Sequence, residues 1–470
     1  MFQATCIPAG LIERYDTMAP RYTSYPSAPQ FSDQFDESHL AIHAERSNAS
    51  LLPKDLSVYV HIPFCHSLCY FCGCNKVVTR TDNQKVSEYL DNLMHEIALR
   101  ARLYSDDRLV TQIHFGGGTP NFLSLDQIAS LLDQIALQFH LDLPNNLEIG
   151  IELDPRFITS DELRTYQSIG FNRFSIGVQD FSKPVQTAIN RVQDEAKTLE
   201  IINTAMECAN SVNVDLITGL PFQQLTTFAD TLDKIIRTKV SRIATYNFAY
   251  MPTRIKAQKM ISASTLPSSA VRMELVSLVR EKLHDAGYQH IGMDHYALPS
   301  DSLSIAQDNG TLQRNFQGYT THRDTDLIGV GASAISKFDT AFSQNETTLS
   351  LYNEALARHR LPIAKGVELD DDDRIRSAVI QQIMCRNKLD LTLPIGQFIE
   401  RDTNTTLADY LSSDIQRLTQ FIQDGLLVPV ENGFEVTDTG RFFMRSIASV
   451  FDKYLTKQSS DRVVPFSRTV

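Results

Sequence analysis

Six strand–helix units in tandem predict a parallel α/β fold, a barrel or partial barrel over roughly residues 55–340. Two observations carry this. Apolar runs of strand length alternate with amphipathic stretches of helical period, which demands crossover connections and hence parallel strands. Polar and glycine-rich residues gather just after the strands, where parallel α/β folds place their ligands. The 470 residues are 42% hydrophobic and 21% charged, with no repeat or biased tract, a globular composition with room for a smaller appendage.

Residues 1–54 are polar and turn-rich and contain APRYTSYP at 19–26. LSVYVHIPF (56–64) is the first buried strand. KVSEYLDNLMHEIAL (85–99) then sets Val86, Leu90, Leu93, Met94 and Ile97 on one helical face. VTQIHF (110–115) stops at three glycines. Ser124 with Gln127, and Thr159 with Glu162, form capping boxes in which each side chain satisfies the other residue's orphan backbone donor. LEIGIEL (147–153), RFSIGVQ (173–179), VNVDLIT (212–218) and RIATYNF (242–248) complete the strands, with helices near 194–210, 226–238 and 268–286. The tail from 341 reads as a small module. It has helices at 367–390, 405–424 and 439–456 and short strands at 426–430 and 434–436, a helical or winged-helix-like order. Asp370–Asp373 and the lack of a basic stripe favour packing or a lid over DNA binding.

The balance of 44 basic against 56 acidic residues, a formal charge of −12, removes the electrostatic footprint of a nucleic-acid binder and the basic face of a membrane-surface protein. No apolar stretch is long enough to cross a bilayer, and MFQATCIPAGLIERYD lacks the basic start of a signal peptide. No heptad demands oligomerisation, so a monomer is expected. Of seven cysteines, Cys65, Cys69, Cys72 and Cys74 lie together, while Cys6, Cys208 and Cys385 stand alone. That pattern fits a reduced cytoplasm with one site that uses sulfur.

The decisive segment is HIPFCHSLCYFCGCN, residues 61–75. Cys65, Cys69 and Cys72, spaced C-x3-C-x2-C after a strand, can hold three irons of a [4Fe–4S] cube and leave the fourth open for chemistry. The alternative is structural zinc, with Cys74, His61 or His66 as fourth ligand. Structural zinc usually draws ligand pairs from separate segments, and four ligands in one short loop would staple nothing together.

The cysteine spacing, with Phe71 before the third cysteine, resembles the radical S-adenosylmethionine (SAM) enzymes. Within them, this loop together with PRYTSYP, HFGGGTPNFL, GVQDF, DLITGLP, RNFQGYT and GASAIS resembles the oxygen-independent coproporphyrinogen III dehydrogenases over essentially the whole chain. The resemblance implies a partial (β/α)6 barrel with N- and C-terminal additions, one [4Fe–4S] cluster and two molecules of SAM. It also implies a reaction without dioxygen in which two propionates of coproporphyrinogen III become vinyls, giving protoporphyrinogen IX in haem biosynthesis. In that family the open iron binds SAM, and an electron from the cluster cleaves it to methionine and a 5′-deoxyadenosyl radical. The radical takes a hydrogen from the propionate β-carbon, and carbon dioxide and one further electron then leave. A reductant protein and an electron acceptor are implied partners.

Carried onto this sequence, the family's SAM positions are Gly117, Gly118 and Thr119. Glu152 stands at a strand end, where a carboxylate can accept from both ribose hydroxyls. Gln179, Arg191 and Asp215 match positions for a second SAM. Tyr59, Phe71, Ala249 and Ile335 match positions that pack on adenosine or offer it backbone. Cys74, in the CxC ending, is a supporting candidate near substrate. Arg21 with Tyr22 and Tyr25, and Arg314 with Phe316 and Tyr319, are candidates for the substrate's carboxylates, since arginine binds carboxylates bidentately. Related haem chaperones lack both the CxC ending and the PRYTSYP segment. A different radical SAM enzyme, such as a methyltransferase, would share the cluster and differ only in products.

Overall fold

The computed structural model describes residues 8–143, 146–322, 325–399, 403–457 and 466–468; Cys6 lies outside them. Six parallel strands occur where the alternation predicts them: β1 (Asp55–Ile62), β2 (Leu109–Gly117), β3 (Glu148–Leu153), β4 (Arg173–Gln179), β5 (Ser211–Thr218) and β6 (Arg242–Asn247). They lie side by side in chain order, with Tyr59 opposite His114, Gly150 opposite Arg173 and Asp215 opposite Ala244. Beyond β6 the sheet adds β7 (Gln289–Gly292) and β8 (His295–Ala297) in antiparallel sense.

On the other side of β1 runs a seventh parallel strand, β9 (Thr325–Val330), followed by antiparallel β10 (Ile335–Lys337), β11 (Ala341–Asn345) and β12 (Ile363–Glu368). The strand path is β7-β8-β6-β5-β4-β3-β2-β1-β9-β10-β11-β12, and among the described residues its two ends are not paired. That arrangement is compatible with a partial barrel. The main sheet thus continues past residue 340, to Glu368.

The strands are buried on both faces, as parallel strands are. Leu56, Val58, Val60 and Ile62 of β1 face the helices, while Ser57, Tyr59 and His61 face the other way. Helix α1 (Gln84–Ala101) buries Val86, Leu90, Leu93 and Ile97, as its spacing predicts. The capping boxes of α2 (Leu125–Gln138) and α3 (Ser160–Ser168) form at Ser124/Gln127 and Thr159/Glu162. Helix α4 (Glu195–Cys208) buries Ile201 and Ile202, and α5 (Leu225–Arg237) buries Phe228, Leu232 and Ile235; each such side chain contributes about 2 kcal/mol. The sixth helix, α6 (Ser269–Asp285), follows β6.

The inner face of the sheet is polar. Gln112 and Arg173 both donate to Glu148 Oε1, at 2.7 and 2.8 Å, and Arg242 is paired with Asp301. Burial opposes the charge on Glu148, but Arg173 and His322 hold its carboxyl well below the usual range.

The C-terminal part differs in detail from the periodicity. Helix α7 (Asp371–Arg386) ends earlier than the helical reading to 390, because Asn387 takes a left-handed conformation with φ 54°. Lys388–Asp390 then joins Gly433–Val436 and Leu427–Val430 in a three-stranded antiparallel sheet. The predicted helix over 405–424 is three short turns of helix. The Asp370–Asp373 run is the N-terminus of α7: Asp370 accepts from the Asp373 amide at 2.7 Å, and Lys453 bridges Asp370, Asp372 and Asp373. Tyr15, Tyr22 and Tyr25 pack into this module's core beside Ile375, Val379 and Phe443.

Candidate active site

The cysteine loop is closed at its base by a second, miniature sheet. After Pro63, Phe64–Cys65 pairs in parallel with Val77–Val78, and the Val77 amide donates to the Pro63 carbonyl at 2.7 Å. Donors distant in sequence pin the middle: Asn190 Nδ2 to the Leu68 carbonyl (2.8 Å) and Gln258 Nε2 to the Phe71 carbonyl (3.1 Å). Closer by, Lys76 Nζ donates to the Cys72 carbonyl (2.8 Å). Tyr70 and Phe71 pack on a small apolar cluster around Ile189, Leu220 and Phe248.

Cys65 and Cys69 are buried, Cys72 is half-buried and Cys74 is exposed. Thr119 Oγ1 donates to Cys65 Sγ at 3.3 Å, and Arg191 and Arg156 point donors at Cys69 Sγ from 3.6 and 3.9 Å. Burial pushes the Cys65 thiol up to about 11, partly offset by Thr119. The Cys74 thiol donates to the Cys72 sulfur, which lowers Cys72 and raises Cys74.

At the neighbouring strand ends, Gly117 has φ +114°, and a Cβ there would stand 2.5 Å from the His61 ring; at Gly118 it would stand 2.8 Å from the Pro63 carbonyl carbon. The glycines therefore admit the cysteine loop's own backbone as well as any ligand. Glu152 accepts from the Gly117 amide at 3.2 Å and keeps 46% of its side chain exposed, so the carboxylate is both oriented and accessible. Tyr59 stacks on His114, with centroids 6.2 Å apart, and pairs across the sheet with Gly329, over which the Ile335 backbone lies. Gln179 is left-handed at φ 68°. The Arg191 guanidinium binds Asp154 at 3.0 Å and the Gly177 carbonyl at 2.7 Å, leaving Nε buried without a partner. Asp215 accepts from Asn213 and Ser175, and burial raises it to about 6.

Residues 59–235 match the radical SAM superfamily. Over 466 residues the chain is 41% identical to an oxygen-independent coproporphyrinogen III oxidase of Pseudomonas aeruginosa, and over 461 residues 42% identical to that of Escherichia coli; in both cases 98% of each chain is covered. A solved structure, a coproporphyrinogen III oxidase from Escherichia coli that is a radical SAM enzyme, superposes with a TM-score of 0.87 at 41% identity, covering 96% of this chain and all of that one. The chain belongs to the oxygen-independent coproporphyrinogen III oxidase family. This is the family whose motifs the sequence resembles, there called the coproporphyrinogen III dehydrogenases, and its fold is the radical SAM α/β fold.

Radical SAM enzymes use a [4Fe–4S] cluster and SAM, and the donor set here fits both. Three thiols stand in one pinned loop, with hydrogen-bond donors aimed at two of the sulfurs, a donor set that can hold three irons of one cluster. Among the described residues no three His, Cys, Asp or Glu side chains are close enough to hold a single ion. Cysteines that take different irons of a cube stand farther apart than the ligands of one zinc.

The sequence candidates converge unequally for such an enzyme. Cys65, Cys69, Thr119 and Arg191 meet at the loop, Tyr59, Gly117, Glu152 and Ile335 beside it, and Asp215 lies deeper on the inner face. Phe71 and Ala249 are joined by Gln258, which donates to both carbonyls. Arg21 is bound to Asp294 and lies over the Tyr246 ring. Arg314 donates to the Arg21 carbonyl at 3.2 Å and stacks on Tyr319, so it supports Arg21 from behind. Gln258, Asp154 and Arg156 escape sequence reasoning, because each acts on the loop across a long chain separation and resembles an ordinary surface residue.

Proposed function

We infer that this chain performs the oxidative decarboxylation of two propionates of coproporphyrinogen III to vinyls without dioxygen, yielding protoporphyrinogen IX for haem biosynthesis. The observation that carries the reading is the near-complete coverage at 41–42% identity in both directions, with the cysteine loop inside the matched region. When bound, the cluster and SAM supply the electron and the 5′-deoxyadenosyl radical that takes a hydrogen from the propionate β-carbon.

The chain's own residues hold and shield these parts. Cys65, Cys69 and Cys72 are assigned to three irons, with Thr119, Arg156 and Arg191 offsetting negative charge on their sulfurs. Glu152, oriented by the Gly117 amide, is assigned to the ribose of SAM. Tyr59, Phe71, Ala249 and the Ile335 backbone are assigned to the adenosine, and Gly117, Gly118 and Thr119 to the rest of that molecule. Gln179, Arg191 and Asp215 are assigned to a second SAM, and Cys74, on the exposed side of the loop, to support near the substrate. Hydrogen abstraction itself needs no general base.

We place the enzyme in the reduced cytoplasm as a monomer served by a separate reductant protein and electron acceptor. The described cysteines are all free, which supports a reducing compartment. Among the described residues no helix is long and apolar enough to cross a membrane.

The test is an anaerobic assay of reconstituted protein with coproporphyrinogen III, SAM and a strong reductant. Protoporphyrin (after oxidation) and 5′-deoxyadenosine are expected together, and both are expected to vanish in Cys65→Ala. Deoxyadenosine without porphyrin conversion would overturn the assigned substrate.

A further inference from the structure

The inner strand ends open on one side into a cavity of about 390 Å³, a size ordinary for a small-molecule site. Its lining joins the ends of β5 and β6 at Thr218, Asn247 and Ala249 to α6 and to the C-terminal module. Ala249 is also a candidate SAM contact, so the cavity abuts the cofactor site. In a chain of net charge −12, this lining contains seven arginines and a single carboxylate, Asp294. The walls between the charges are apolar, with Met273, Val276, Met293, Tyr296 and Phe442.

The arginines differ in what they already bind. Arg21 is taken by Asp294. Arg445 is 6% exposed and gives its donors to the carbonyls of Ala19, Pro20, Ser467 and Arg468, which satisfies its hydrogen bonds; among the described residues it has no ion pair. Arg272, in the first turn of α6, has one hydrogen bond, to Ser269 Oγ at 3.0 Å, and no ion pair among the described residues. Its shaft is held against Gly219, where a Cβ would stand 3.3 Å from Cδ. Arg441 Nε is buried and makes no hydrogen bond among the described residues, and the carboxylate paired with it, Asp438, is 3.9 Å away and largely exposed. Burial lowers both Arg441 and Arg445, the latter to about 9, and neighbouring arginines lower them further. An anion in the cavity would remove that penalty.

We propose that this cavity binds the substrate macrocycle, with Arg272 and Arg441 as specificity-determining contacts to propionates that are not reacting, and with its apolar walls against the pyrrole rings. This rests on the functional reading above and deepens it. The reacting propionate would point toward Ala249, and the remaining carboxylates would take the guanidinium groups farther from the strand ends.

The test uses coproporphyrin III, the stable oxidised form, titrated into purified full-length protein and followed by porphyrin fluorescence anisotropy, with its tetramethyl ester as the uncharged control. Wild type should bind the acid and not the ester. Arg272→Ala and Arg441→Ala should each weaken binding about tenfold, with part of the loss restored by lysine, and should raise the KM for coproporphyrinogen III more than they lower kcat. Unchanged affinity and KM in the double variant, with a wild-type circular dichroism spectrum, would overturn the assignment while leaving the reaction intact. A wild-type protein that binds the acid, loses it in the variants, yet converts no coproporphyrinogen III would support the cavity and overturn the reaction instead.

Discussion

Asp215 faces inward from β5 with both oxygens occupied by Asn213 and Ser175, yet burial and the nearby Glu152 and Asp294 raise its pKa to about 6. A carboxyl raised in the fold holds its proton more tightly than in the unfolded chain. Its stabilising contribution is therefore full below about pH 4 and is lost as pH rises through 6. Asp215→Asn should raise stability by about 2 kcal/mol at pH 8 and leave it unchanged below pH 4, read as melting temperature at the two pH values. The same substitution should raise the SAM concentration needed for half-maximal turnover, as the proposed contact of Asp215 with a second SAM requires. The cysteine spacing was legible because Cys65, Cys69 and Cys72 lie within one short loop. Asp215 was singled out only through resemblance, since an aspartate on a strand carries no sign of burial in its own sequence.

At the scale of elements, the cysteine loop has little structure of its own and is held by neighbours. Gln258, 1% exposed, donates to the carbonyls of Phe71 and Ala249 and accepts from the Met251 amide. Gln258→Leu removes three hydrogen bonds at once from partly buried backbone and should cost about 2–4 kcal/mol. It should also lower the iron bound per chain after reconstitution, a readout that a purely peripheral residue would not move. Gly118→Ala puts a methyl 2.8 Å from the Pro63 carbonyl carbon, which is backbone and cannot rotate away, and should lower the unfolding midpoint by the equivalent of about 1–3 kcal/mol. The strands and capping boxes were legible because alternation and capping are local patterns. Strand β9 was not, since TDLIGV is short and follows no helix of its own, and the long helix read to 390 stopped at Asn387 because a third strand competes for the next residues.

Across the whole molecule, segments near the two ends of the described chain meet at one side chain. Arg445 binds carbonyls at residues 19, 20, 467 and 468, and so ties the N-terminal segment to the C-terminal module. Arg445→Ala should destabilise by about 2–4 kcal/mol in urea titration and expose the first twenty or so residues to limited proteolysis before the rest unfolds.

What the sequence determined by itself is what depends on near neighbours: three thiols spaced for a cluster, strands in chain order, helices with their caps, and glycines where the chain must crowd. The tertiary structure alone decided which distant groups share a space. The cavity draws its arginines from residues 21, 254, 272, 280, 441, 445 and 468, and net charge sums the entire surface, so an acidic chain conceals a basic chamber. Around that chamber a few guanidinium groups set the local field, because most of the charges that make the chain acidic lie farther away than a screening length.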